Sequence, residues 1–321
     1  MRSGRRHLTV AVSCLGLLLS CSTPAGMPAE VPVTTAPPAR TLPDTLYGVT
    51  LDDVSRLPQL TASLRDLPQR PTARIVFDPG TAPADYAGAV AALRPVGYLM
   101  GLPMDSTAVA GTSLTEHHDR TAALLAAYGG QIDLWEVGNE VNGGWLGPAE
   151  QVSAKVTDAY RQVVAAGGRT ALTLYYNPGC AEDPGHEMLP WARANLPREL
   201  RDGLDVLLVS YYEDDCNGYR PPLAEWNAVF TELAGLFPHA RVGFGEIGLA
   251  DRRATEDRKA EQLTHYYTLP VTAPRYLGGH FWWYYAEDML PYPPANSLWA
   301  ALATAIAPPV GTAPLTQGPE R

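Results

Sequence analysis

Short apolar runs recur between residues 42 and 306, and each is followed by a segment with helical spacing. The runs are Tyr47–Val49, Ala73–Phe77, Gly97–Met100, Ile132–Val137, Thr170–Tyr176, Leu204–Tyr211, Arg241–Ile247 and Gly279–Tyr285. They are hydrophobic almost throughout rather than alternating, as strands buried on both faces of a parallel sheet must be. Between them, Val152, Val156, Tyr160 and Val163 form one helical stripe, and Trp226, Phe230, Leu233 and Leu236 another. Residues 54–66, 83–93, 114–128, 187–197, 251–268 and 296–306 complete the helical set. Eight strand–helix units in one stretch predict a single-domain α/β protein, a (β/α)8 TIM barrel. A doubly wound open sheet is the alternative, but no Gly-x-Gly-x-x-Gly follows the first strand.

The segments outside residues 42–306 read differently. Arg2, Arg5 and Arg6 precede an apolar run from Leu8 to Leu19. That run is too short to cross a hydrocarbon core of about 30 Å as a helix. It reads as the core of a signal peptide, residues 1–20. Leu18-Leu19-Ser20-Cys21 resembles the bacterial lipobox, which implies cleavage before Cys21 and acylation of its thiol. The alternative is an ordinary secretory signal that ends near a cysteine. Residues 21–41, rich in Pro, Ala and Thr, read as a disordered tether, and 307–321 as a disordered tail. The chain is therefore expected outside the cytoplasm, held to the bacterial membrane as a lipoprotein.

Charge and cysteine usage narrow the picture further. Lys+Arg number 24 against Asp+Glu 34, a net charge of -10 that argues against a nucleic-acid partner. Cys14 lies in the discarded segment and Cys21 carries the lipid, leaving Cys180 and Cys216 in the folded part. In a compartment where disulfides persist the two are expected to pair, the alternative being two buried thiols. They lie after neighbouring strands, so a bond would stiffen one wall of the barrel mouth. No His or Cys cluster has metal-ligand spacing, so neither metal nor cofactor is expected. The chain is expected to be a monomer.

In a barrel of this kind the active site is built at the C-terminal ends of the strands. Two carboxylates fall there: Glu140, closing strand 4 in Trp135-Glu136-Val137-Gly138-Asn139-Glu140, and Glu246, ending strand 7. A carboxylic acid and a carboxylate facing each other suit glycosidic bond cleavage, provided their surroundings push the two pKa values apart. Arg74 on strand 2 points to the same mouth and would hold a neighbouring carboxylate ionised. An interior ion pair without contact to Glu246 is the alternative. Glu136 lies deeper in the strand and reads as the interior partner of a base. Trp135, of opposite parity, is expected under a helix. Trp145 is either a sugar platform or a packed loop residue.

Asn139-Glu140 with Glu246 resembles the arrangement of the clan A retaining glycoside hydrolases, and the likeness covers the whole barrel. It implies cleavage of β-glycosidic bonds in an oligo- or polysaccharide by double displacement. Glu140 would be the acid/base, Asn139 the anchor of the sugar 2-hydroxyl and Glu246 the nucleophile. Val137–Gly144, Asp205–Tyr212, Arg74–Pro79 and Gly278–Trp283 are locally similar to the endo-β-1,4-galactanases. That likeness favours Tyr212 over Tyr211 beside the nucleophile and Trp283 over Trp282 under the sugar. The flank of Glu246 is generic to the clan, and no extended calcium-binding loop is present near the C-terminus. The same residues serve a transglycosylase, and a non-catalytic saccharide-binding lipoprotein is the reading from another class.

Other ionisable residues receive structural expectations. His117 and His118 read as a solvated helix face, and His280 as structural. Glu213-Asp214-Asp215 after strand 6 reads as a solvated acidic loop, or as recognition of hydroxyls or of a basic sugar.

Overall fold

The computed structural model describes residues 40–308 apart from 182, 252 and 293–295. Cys21 and the segments expected as signal peptide and tail from residue 309 lie outside the described residues. Eight parallel strands close a barrel in sequence order. They are β1 (Leu46–Leu51), β2 (Thr72–Val76), β3 (Tyr98–Leu102), β4 (Leu134–Glu136), β5 (Thr170–Tyr175), β6 (Val206–Tyr211), β7 (Arg241–Ile247) and β8 (Gly278–Trp282). The single-domain barrel read from the hydrophobic pattern is the observed fold.

The main helices fall where the spacing placed them: α1 (Leu57–Arg65), α2 (Ala87–Leu93), α4 (Leu114–Tyr128), α5 (Ala149–Ala165), α8 (Leu223–Leu236), α9 (Glu256–Tyr267) and α11 (Ser297–Ala305). The weak helical signal at 187–197 resolves into α6 (Met188–Asn195), followed by α7 (Arg198–Gly203). Two short helices, α3 (Ser106–Val109) and α10 (Tyr285–Asp288), carry no periodic pattern. α3 starts because the Asp105 side chain accepts the Thr107 amide, satisfying an otherwise orphan donor. Strand β8 is shorter than its apolar run, because the chain turns into α10 after Trp283.

Two apolar layers hold the barrel. The larger lies between strands and helices and takes in Trp135, Trp226, Phe230, Phe244 and Trp282. The smaller fills the barrel floor with Leu46, Met100, Leu134, Leu208 and Phe281. Gly48 is required there: a Cβ at that position would lie 2.5 Å from Cγ of Phe281. The Arg40 side chain closes the floor from below by pairing with buried Asp133, and Leu42 packs on the floor layer. The described chain thus joins the barrel two residues inside the segment read as tether.

His117 is a correction to the solvated helix face. Its ring is buried on α4, and burial followed by the nearby Lys155 pushes it down to about 4. His118 is half exposed and pairs with Asp158. His280 is interior, with Nε2 3.1 Å from the Tyr276 hydroxyl, and burial pushes it down to about 3.

Candidate active site

Regular β-structure turns successive side chains to opposite faces, so a cluster of polar groups at one mouth needs breaks in that alternation. The breaks are present in three strands. In β7, Val209 pairs with Phe244 while Tyr211 pairs with Ile247, so three residues of β7 match two of β6. Phe244 faces the helices, and unbroken alternation would have sent Glu246 the same way. The inserted residue turns Glu246 into the barrel, a common use of bulges beside functional sites. Ser210 Oγ accepts the Glu246 amide at 3.2 Å, satisfying a donor that the bulge frees.

Strand β4 breaks in a similar manner and corrects the expectation that Glu140 closes it. The ladder continues through Val137, whose amide reaches the Ala171 carbonyl at 2.8 Å. Thr173 then donates to Gly138 O and accepts from Val141 N, and the chain between loops toward the mouth. Glu140 sits in that loop at φ 48°, a left-handed backbone that costs a non-glycine residue roughly 1 kcal/mol or more. The loop lets the consecutive residues Asn139 and Glu140 both serve the mouth. In β8 the third break leaves Trp282 under α10, with Nε1 donating to Asp288, and frees Trp283 for the mouth.

Arg74 anchors the assembly. Its Nε and Nη2 reach the two oxygens of Glu136, each at 2.6 Å, and Nη1 reaches Glu246 Oε1 at 2.7 Å. Arg74, Glu136 and Glu246 are all buried. Thr173 also donates to Glu136, so this inner carboxylate is fully occupied and unavailable for chemistry. Arg74 thus holds a mouth carboxylate, and the alternative of an interior ion pair without contact to Glu246 is not what the structure shows, although Arg74 also pairs with Glu136 inside the barrel.

Glu246 receives two further donors, Asn139 Nδ2 at 2.7 Å and the Tyr212 hydroxyl at 3.0 Å. Trp283 stacks over the Arg74 guanidinium, 5.3 Å from Cζ to ring centroid. Glu140 is served sparingly. Ser106 Oγ reaches its Oε2 at 3.2 Å, and its buried Oε1 has no partner. Ser106 also donates its amide to Asn139 Oδ1 at 3.0 Å, so one residue of α3 orients both.

These surroundings separate the two carboxyls. Burial is the main cause that raises Glu140 well above the usual carboxylate range, with Glu246 and Asp105 adding negative potential. Burial also pushes Glu246 up to about 7, but Arg74 and the Asn139 hydrogen bond pull it back. Three donors aimed at Glu246 favour its ionised form, whereas a neutral acid at Glu140 avoids stranding a charge on an unpartnered oxygen. Glu246 is thus the first of the pair to lose its proton.

Beyond Glu140 opens a cavity of about 500 Å³ between the loops after β4, β5 and β6. Trp145, Tyr175, Asp183, Tyr212 and Asp215 contribute to its lining. Trp145 packs edge-on against Tyr175 at 5.5 Å between centroids and is still 43% exposed. Cys180 and Cys216 are bonded across two of these loops, the pairing expected of them. Glu213 corrects the solvated acidic loop: it is buried and paired with Arg220 and Tyr266. Of that acidic run, Asp215 is the residue that reaches the cavity.

Ser106 and Tyr175 escaped the sequence reading. An Asp-Ser-Thr start after the third strand is a helix N-cap signal, which could have marked Ser106. Nothing local distinguishes Tyr175 from a core strand residue. Among the described residues no group of three or more His, Cys, Asp or Glu is placed to hold a metal ion.

No family model matches the chain, and no curated protein does either. Solved structures are similar in fold. A GH5-4 broad specificity endoglucanase from an uncultured bacterium superposes with TM-score 0.53 at 12% identity, covering 82% of this chain and 94% of that one. A glycoside hydrolase family 5 enzyme from Prevotella bryantii B14 gives 0.52 at 14% identity, covering 82% and 96%. A β-1,4-mannanase from the sea hare Aplysia kurodai gives 0.51 at 11%, covering 81% and 92%. What these chains share with the present one is the (β/α)8 barrel.

Proposed function

We propose that the protein is a retaining glycoside hydrolase acting on β-linked oligo- or polysaccharides. The observation that carries this reading is the asymmetry of the two mouth carboxyls. Glu246 has three donors and Glu140 has one donor and an unpartnered oxygen. Glu246 attacks the anomeric carbon while Glu140 protonates the departing oxygen, and Glu140 then takes a proton from the water that releases the sugar. Tyr212 and Arg74 hold the nucleophile, Asn139 is placed to meet the sugar hydroxyl next to the reacting carbon, and Trp283 offers an aromatic face. The glycoside hydrolases of similar fold support a carbohydrate substrate. The galactanase likeness of residues 137–144 and 205–212 makes β-1,4-galactan one substrate to try. A saccharide-binding protein without turnover has no need of a buried, unpartnered carboxyl, which disfavours that alternative. Transglycosylation differs only in the acceptor and is separated by product analysis.

Glu140→Gln provides the test. The sign of its pH effect follows from the two roles. The nucleophile must be ionised, so activity falls as pH drops through Glu246's value of about 7. The acid must be protonated, so activity falls again as pH rises through Glu140's raised value. Glu140→Gln should erase the alkaline limb of kcat/KM and cost about 10²–10⁴-fold on poor leaving groups. Aryl glycosides with strongly acidic phenols should lose far less in their glycosylation step. The first product of the wild type should be the β-anomer by proton NMR. Loss independent of leaving group, or an α-anomer first, would sink the assignment.

We also propose that the mature chain is anchored through acylated Cys21, supported by Leu18-Leu19-Ser20-Cys21 behind the apolar run. Labelled palmitate should enter the wild type and not Cys21→Ser. Equal labelling would refute the anchor.

A further inference from the structure

The cavity beyond Glu140 excludes the nucleophile and most of its companions. Glu140 and Tyr212 line it, whereas Arg74, Glu246 and Trp283 do not. In the proposed reaction the sugar that keeps its anomeric carbon sits over Glu246. The group that leaves with Glu140's proton must then lie beyond Glu140, in this cavity. Glu140, whose buried Oε1 is unpartnered, belongs to its lining, as a proton donor to a bound group requires.

The chemistry of the lining is one-sided. Asp183 and Asp215 are both there, and no Lys or Arg among the described residues is. Asp183 spends Oδ1 on the Gly185 amide, which leaves Oδ2 free. No donor among the described residues bonds the Asp215 side chain. His186 has Nδ1 2.9 Å from the Asn142 carbonyl. That contact keeps the proton on Nδ1 and leaves Nε2 an acceptor in the neutral ring. Asn177 is already committed, donating to His186 O and accepting from Met188 N. A site dominated by free acceptors calls for a ligand rich in donors, and an ammonium carries three of them. Trp145 adds an exposed aromatic surface of sugar-ring size, with cation–π attraction for a nearby positive charge.

Resting on the hydrolase reading, we propose that this cavity is a leaving-group site for an amino sugar, its ammonium received by Asp215 and Asp183. The Cys180–Cys216 bond ties the loops that carry the two carboxylates: Asp183 follows Cys180 by three positions and Asp215 precedes Cys216. The bond thereby limits how far the two loops can move apart.

The test compares matched β-linked disaccharides whose leaving sugar carries a 2-amino, 2-hydroxyl or 2-acetamido group, at a pH where the amine is protonated. Wild type should favour the amine in kcat/KM by about tenfold or more, the scale of one charge-assisted hydrogen bond. Asp215→Asn should bring that ratio toward one, and Asp183→Asn should lower it. A wild-type ratio at or below one, or a ratio unmoved by both substitutions, overturns the amine site. Aryl β-glycosides separate this from failure of the hydrolase reading. Their cleavage without amine preference removes only the present inference. If no glycoside of any kind is cleaved, the hydrolase reading falls, and calorimetric titration with chitosan oligosaccharides decides the site. Binding weakened at least tenfold by Asp215→Asn retains it, and absent or unaffected binding discards it.

Discussion

Glu246→Gln should lower kcat/KM on β-glycosides by at least about 10⁴-fold, as removal of an attacking group does when its partners are left in place. The substitution preserves shape: its one oxygen can stay on Arg74 Nη1 and Asn139 Nδ2, and its NH2 then faces the Tyr212 hydroxyl, which can turn to accept. Arg74 keeps its two bonds to Glu136, so its charge is not stranded. Folding stability should therefore change much less than activity, and sugar binding should survive. Initial rates on aryl glycosides, with melting curves alongside, check both statements. Equal release of reducing sugar by wild type and variant would remove Glu246 from the mechanism, and with it the reading of the whole mouth.

Arg74→Met should have the largest effect on stability, about 3–5 kcal/mol, because removing one partner of a buried ion group leaves uncompensated charge behind. Glu136 and Glu246 would face one another across a dry interior without their shared cation. Without the cation that pulls it down, Glu246 would hold its proton well above the ordinary value of 4.5. The pH dependence follows in sign. Carboxyls with raised folded-state pKa contribute stability that is present below about 4.5 and lost as pH rises. The deficit of Arg74→Met against wild type should therefore be small in acid and grow toward neutrality. Adding Glu136→Gln should recover part of it by removing one of the stranded charges. Urea denaturation across pH reads all three expectations. A deficit below 1 kcal/mol or flat with pH would show that the triad contributes little to the fold. Activity should fall as well, since a Glu246 that keeps its proton cannot attack.

The loss in Arg74→Met joins fold and site in a way that Glu246→Gln does not. The lower carboxylate of the triad, Glu136, holds Arg74 by two bonds, and Arg74 holds the upper one. The same guanidinium lies against Trp283. Chemistry at the mouth is therefore built on an ion group that the barrel interior must enclose anyway. Burial raises both mouth carboxyls, and the unequal supply of donors separates them, as the opposite tasks proposed for them require.

Much of the fold was legible because parallel strands leave a simple trace. Near-continuous apolar runs followed by helical stripes have few solutions, and the order of eight units leads to a closed barrel. The strand-end position of Glu246 was legible for the same reason, whereas Glu140, expected to close strand 4, lies in the loop beyond β4. His117 was misjudged because a polar ring on a helix says nothing of what packs above it. Glu213 was misjudged because its partners Arg220 and Tyr266 lie 7 and 53 residues away along the chain.

The sequence by itself determined the barrel and the place of the mouth, and it left Cys180 and Cys216 as the two cysteines to pair in the folded part. Which side chains meet in the mouth was decided by the tertiary structure. Strict alternation from Phe244 would bury Glu246 among the helices, and only the register shift between β6 and β7 turns it inward. Likewise, Asn139 and Glu140 share the mouth because Thr173 lets the chain of β4 loop out between Gly138 and Val141. Bulges arise from how neighbouring strands pair, and that pairing is a property of two strands rather than of one.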